Sequence, residues 1–132
     1  MLYIKPDYFF EGIALGLKAC TQGYNVLFKN AATLSTELCE AKDNYRLGKL
    51  ERTLAKADLL ILDDCGTEVS NTFTVSRLFQ LLNERALLRK STIISTNLTP
   101  EQLSVRYSPQ IASRLLGTYR LIQFVGQDIR RL

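Results

Sequence analysis

Residues 59–66 read Leu-Leu-Ile-Leu-Asp-Asp-Cys-Gly. Four aliphatic residues run straight into two adjacent carboxylates, Asp63 and Asp64, and Gly66 follows one residue later. A short apolar run bounded by turn formers predicts a strand buried on both faces, the kind found in parallel sheets. Parallel strands need crossover connections, so this one segment already points to an α/β fold. Open parallel sheets bind ligands at the carboxyl ends of their strands, which is where the two Asp fall. Two carboxylates at a buried strand tip are costly unless a cation or hydrogen-bond donors compensate them. A Mg²⁺-nucleotide site supplies that compensation: one carboxylate holds the metal through water and the next polarises an attacking water.

The rest of the chain alternates helical and strand patterns. Residues 12–20 carry a helical apolar run that Gln22-Gly23 closes, and 25–28 form a short strand. Leu34, Leu38 and Ala41 share one helical face, and Leu47, Leu50 and Leu54 predict a further short helix. Val75, Leu78, Phe79, Leu82 and Ala86 make an i, i+3, i+4, i+7 stripe over 73–89, and the β-branched run 91–97 predicts a second buried strand. Thr99-Pro100-Glu101-Gln102 has the residues of a capping box with Pro at the first helical position. Ser108-Pro109 opens another helix, which Gly117 is placed to end, and 119–125 form the last strand. Strands joined by helical crossovers predict a mostly parallel, doubly wound sheet.

Composition removes several chemistries. The 132 residues fit one domain and contain no His, which excludes triads, most zinc sites and the commonest general base. Cys20, Cys39 and Cys65 are widely spaced with no CxxC pair, which reads as three buried free thiols in a reducing compartment. No apolar run reaches membrane-spanning length and no signal-peptide pattern opens the chain, so the expectation is a cytoplasmic protein without a membrane partner. The net charge is +4, with basic residues gathered at Arg85, Arg89 and Lys90 and from Arg106 to Arg131. Such clusters suit contacts to phosphate, and a solvated face accounts for them equally well.

Several polar residues fall at comparable places. Asp63 and Asp64 end one buried strand, and Thr96 and Asn97 end the next. Arg114 lies on the helix before the last strand, and Arg130 lies just beyond that strand. A carboxylate pair beside an amide suits an ATPase, where the amide orients the lytic water and an Arg reaches a neighbouring subunit's phosphate. Each has a plainer alternative: carboxylates that cap a helix, an Asn that shapes the turn into Leu-Thr-Pro, and solvated arginines. Glu68 reads as an ordinary loop residue.

Taken together, residues 40–68 (ending LLILDDCGTE), 76–103 (ending STIISTNLTPEQL) and 107–130 (YSPQIASRLLGTYRLIQFVGQDIR) resemble the DnaC/DnaI helicase-loader group of AAA+ ATPases. The chain is also similar, especially over 12–66, to the IstB transposition ATPases. The resemblance implies a three-layer P-loop NTPase core in which Asp63 and Asp64 match the Walker B pair and Asn97 the sensor 1 residue. Asp63 would then touch Mg²⁺ indirectly, with Asp64 and Asn97 on the catalytic side. It matches Arg114 to an arginine finger and Arg130 to the sensor 2 arginine that contacts nucleotide. The implied cofactors are ATP and Mg²⁺. The implied partners are a replicative DNA helicase, single-stranded DNA and further copies of the chain in a homo-oligomer.

Two departures qualify these expectations. The family's GxxGxGKT loop should precede residues 13–20, but this stretch reads Lys5-Pro6-Asp7-Tyr8-Phe9-Phe10-Glu11-Gly12. Its bulky and acidic side chains replace the glycines, the Lys and the Ser/Thr that hold phosphate and Mg²⁺. Gln110 stands where the family more often carries Arg. Residues 1–132 thus read as a single partial AAA+ core without the N-terminal helicase-binding domain. Met1 to Ile4 either supply a stunted first strand or leave a gap in the sheet. Three readings follow: a helicase-loader ATPase core impaired in ATP binding, a non-catalytic protein-binding adaptor that takes no nucleotide, and, trailing because GQDIR at 126–130 favours a loader, an IstB-type transposition helper.

Overall fold

The computed structural model describes residues 2–4, 16–68 and 71–123. Five parallel strands, β1 (Leu2–Ile4), β2 (Val26–Asn30), β3 (Leu59–Cys65), β4 (Ser91–Thr96) and β5 (Leu121–Gln123), form one sheet in the order β2-β3-β4-β1-β5. All four strand pairings are parallel, as the buried run at 59–62 predicts. The three residues of β1 lie between β4 and β5, with Leu2 opposite both Ile94 and Leu121. The first strand is therefore present in stunted form, and among the described residues the sheet has no gap.

The connections are helical: α1 (16–21), α2 (Ala31–Asp43), α3 (Leu47–Lys56), α4 (Thr72–Leu87), α5 (Pro100–Arg106) and α6 (Pro109–Thr118). Side-chain alternation along the strands divides the core between the sheet's two faces. Leu60, Leu62 and Ile94 pack with Leu34, Leu38, Leu54, Leu78, Leu82, Leu103 and Leu115, which places α2 to α6 on one face. Ile61 points the other way, where a Cβ on Gly16 of α1 would come within 3.1 Å of it. The result is helix, sheet, helix: three layers.

Local signals account for most boundaries. Gly23 ends α1 at φ +88°, and the Tyr24 N–H donates back to the Ala19 carbonyl. At α5 the predicted capping box forms: the Gln102 N–H donates to Thr99 Oγ1 at 3.2 Å, and the Thr99 N–H donates to Gln102 Oε1 at 2.9 Å. Ser108 caps α6 through the Ile111 N–H. One terminator is misplaced, since α6 runs through Gly117 to Thr118 and is followed by extended Tyr119. Gly117 lowers helix propensity there without taking up the left-handed conformation that would stop the helix.

Arg85 corrects the reading of the basic clusters. It is fully buried on α4, where its guanidinium donates to the carbonyls of Leu54 and Ala55 in the last turn of α3 and of Ala57 just past it. It also donates to the Ser91 carbonyl and to Thr92 Oγ1 at the start of β4. This arginine is a core tie between α3, α4 and β4, and it cannot contact a phosphate. Among the described residues no helix is long and apolar enough to cross a membrane.

Candidate functional site

The carboxyl ends of β3 and β4 carry the candidate site. Leu60 and Leu62 face the large core, so alternation turns Asp63 to the opposite face, which is the face of Ile61 and α1. Ser95, next to core-facing Ile94, turns the same way. Its hydroxyl donates to Asp63 Oδ1 at 2.6 Å and accepts from the Asp64 N–H at 3.0 Å. One serine thus fixes both carboxylate-bearing residues.

The strand does not stop at the Asp pair. It continues to Cys65 with a register irregularity between Leu62 and Cys65, and Asp64 takes φ +59°. A left-handed non-Gly residue is uncommon and marks a site held by its surroundings. Thr96 secures the same junction from β4: its hydroxyl donates to the Cys65 carbonyl at 2.6 Å and accepts from the Leu98 N–H at 3.1 Å. Asn97 follows immediately and is exposed. The structure therefore brings Asp63, Asp64 and Asn97 to adjoining strand tips.

The two arginines stand differently. Arg114 is exposed on α6, where it borders a cleft of about 370 Å³ between α4 and α6 lined by Phe79, Leu82 and Leu115 among others. Arg130 lies outside the described residues, as do residues 5–15, where the phosphate loop is sought. Among the described residues no three His, Cys, Asp or Glu side chains gather to enclose a metal. A single carboxylate, already held by one hydroxyl, fits Mg²⁺ through water. No GxxxxGK[ST] pattern, the usual phosphate-holding half of such a site, occurs in residues 1–132.

Glu68 is the residue that sequence reasoning passed over. It is only 2% exposed, and its carboxylate accepts from the Gly66 N–H at 2.7 Å and from the Tyr107 hydroxyl. Arg106 donates to its backbone carbonyl, and Tyr107 lies 3.1 Å from Cys65 Sγ. A carboxylate two residues beyond a turn Gly was the available signal, but nothing in the sequence marks that loop as buried.

The thiols also divide. Cys65 is buried, Cys39 half-buried and Cys20 exposed, so the expectation of three buried thiols fails at Cys20. Burial, with Glu68 nearby, pushes the Cys65 thiol up to about 12, leaving almost no thiolate at pH 8. Maleimide labelling of the native protein at pH 8 is expected to modify Cys20 first and to spare Cys65 until denaturant is added. Peptide mass mapping reads the order, and early modification of Cys65 would contradict this burial.

Comparison with known proteins places this geometry. Residues 10–123 match the family model described as IstB-like ATP binding protein. An insertion-sequence ATP-binding protein of Sinorhizobium fredii is 34% identical over 123 residues, covering 89% of this chain and 50% of that relative. The chain thus spans about half the length of that relative. Among solved structures, the replication initiator DnaA bound to AMPPCP and single-stranded DNA superposes with a TM-score of 0.88 at 22% identity, covering 96% of this chain and 40% of that one. The DnaC helicase loader gives 0.77 at 21%, covering 94% and 76%. These two likenesses concern the fold, which is the three-layer P-loop AAA+ core expected from the sequence. With the family model spanning nearly all of the described residues, the chain belongs to the IstB-like ATP-binding proteins.

Proposed function

We propose that this chain is the nucleotide-responsive core of an ATP-binding protein of the insertion-sequence type, impaired in nucleotide binding on its own. The observation that carries the reading is the Asp63–Asp64 tip, held by Ser95 at the carboxyl end of a buried parallel strand in a chain of this family. Bound Mg²⁺-ATP would supply a polarised γ-phosphate. Asp63 would hold a metal-bound water, Asp64 would accept from the attacking water, and Asn97 would orient that water. Arg114, exposed on α6, would reach a phosphate on a neighbouring copy in a homo-oligomer, and Arg130, outside the described residues, is the sequence match for an arginine that contacts nucleotide.

The missing phosphate loop sets the magnitude. Backbone N–H groups of a Gly-rich loop and its Lys supply most β- and γ-phosphate binding in such sites, and the sequence at 5–12 has neither the glycine pattern nor a Lys at the loop's spacing. Titrating the full chain with a fluorescent ATP analogue and Mg²⁺ is expected to show no micromolar binding. Micromolar affinity that disappears in Asp63→Ala would overturn this and would mean that other residues hold the phosphates.

A second reading, delivery of a replicative helicase to single-stranded DNA, is favoured by the likeness to the DnaC helicase loader and to DnaA with its bound single strand. As a non-catalytic adaptor the chain would bind its partner regardless of nucleotide. Size-exclusion chromatography with a replicative helicase tests it. Failure to co-elute, with and without single-stranded DNA, removes this reading and leaves the insertion-sequence one.

A further inference from the structure

We infer that Glu68 is a positioning residue: its buried carboxylate sets the turn after β3 and ties the Asp63–Asp64 tip to α5. The inference rests on the proposed function only in treating that tip as functional.

The turn 65–68 is closed by a chain of hydrogen bonds. The Tyr107 hydroxyl has one proton and gives it to Glu68, so at the 3.1 Å contact with Cys65 the thiol is the donor. The order is Cys65 S–H to Tyr107 oxygen, Tyr107 O–H to the Glu68 carboxylate, and Gly66 N–H to the second carboxylate oxygen. This order requires both thiol and phenol to keep their protons.

Asp64 is held on both sides, and its own carbonyl also accepts from the Thr67 hydroxyl at 2.8 Å. On one side Ser95 accepts its N–H, and on the other the ring through Glu68 fixes Cys65 and Gly66. Its left-handed backbone persists because both neighbours are held. Arg106 adds a link from α5 to the Glu68 carbonyl, and Ser108 leads from α5 directly into α6, which bears Arg114. A shift of α5 must therefore pull on Glu68 and, through it, on Asp64.

Residue-resolved amide hydrogen exchange on the full chain tests this without nucleotide, metal or partner. The Asp64 N–H bonds to Ser95 and not to Glu68, so its exchange reports whether the tip has moved. In Glu68→Ala and in Tyr107→Phe, exchange at Asp64 and Gly66 is expected to rise about tenfold more than at Leu60 and Leu62 of the same strand. Glu68→Gln keeps an acceptor for the Gly66 N–H and should restore most of the protection at 66. A uniform rise across β3 would mean that Glu68 contributes only general stability, and an unchanged Asp64 would remove the positioning role. Tyr107→Phe deletes a single hydroxyl, so it remains informative if Glu68→Ala does not fold. Failure of the ATP titration leaves this measurement readable, and failure here leaves the ATP titration readable.

Discussion

Arg85→Met is expected to destabilise the protein by about 3–5 kcal/mol, read from urea unfolding at 25 °C. Five hydrogen bonds converge on this one guanidinium, at 2.9 Å from Thr92 Oγ1, 2.7, 3.3 and 2.8 Å from the carbonyls of Leu54, Ala55 and Ala57, and 2.7 Å from that of Ser91. Three of these carbonyls lie in the last turn of α3 and just past it, where no intrahelical partner exists. Burial lowers the arginine's pKa from its ordinary value, but an arginine stays charged near neutrality. The buried charge is met by four carbonyl dipoles and the Thr92 hydroxyl, which suits a delocalised guanidinium. Methionine fills similar volume and removes every donor, so buried carbonyls are left unsatisfied. Arg85→Lys should recover only part of the loss, because one ammonium cannot span acceptors on α3, on the residue after it and on β4. A near-neutral Arg85→Met would show that the hydrogen bonds only offset the cost of burying the charge, as some buried ionic groups do.

Arg85 also shows where sequence stops being informative. It follows Leu78 and Leu82 on the core side of α4, at the i+7 and i+3 positions of the same stripe. Read as a letter it joined a basic cluster, because only the fold reveals that α3 ends directly above it. The strand pattern was legible for the opposite reason. Burial of β3 on both faces leaves no room for polar residues, so the apolar run announces the parallel sheet by itself. The capping box at Thr99 was legible because every partner lies within three residues.

The candidate site divides the same way. Asp63 and Asp64 stand out because carboxylates directly after a buried strand are anomalous. Ser95, which holds both of them, is 31 and 32 residues away in sequence and looks like any strand serine. Glu68 depends on Tyr107, 39 residues later. Contacts of that separation are fixed by topology, and no local pattern encodes them. The +59° backbone of Asp64 was equally invisible, since the strand pattern predicts extended conformation through that residue.

Gly66→Ala is expected to cost about 2–4 kcal/mol, for two separable reasons. Gly66 takes φ +108°, a conformation that an L residue adopts only under strain. In addition, a Cβ there would lie 2.6 Å from Leu98 Cδ1 and 3.0 Å from Leu98 Cγ. Leu98 has little freedom to yield, because its own N–H is held by Thr96 and its side chain packs against the core. The double variant Gly66→Ala/Leu98→Ala separates the two terms. With the leucine shortened, the glycine substitution should cost only the backbone part, about 1–3 kcal/mol, and the difference is the steric coupling. If the cost is the same in both backgrounds, the close approach of Leu98 is irrelevant and the backbone angle alone demands glycine. Either way the strain falls between Cys65 and Glu68, so the turn that the Gly66 N–H and Glu68 carboxylate close must open or twist to relieve it. Because Asp64 is held from that side, Gly66→Ala should loosen the Asp64 amide as Glu68→Ala does, while leaving the carboxylate at 68 in place.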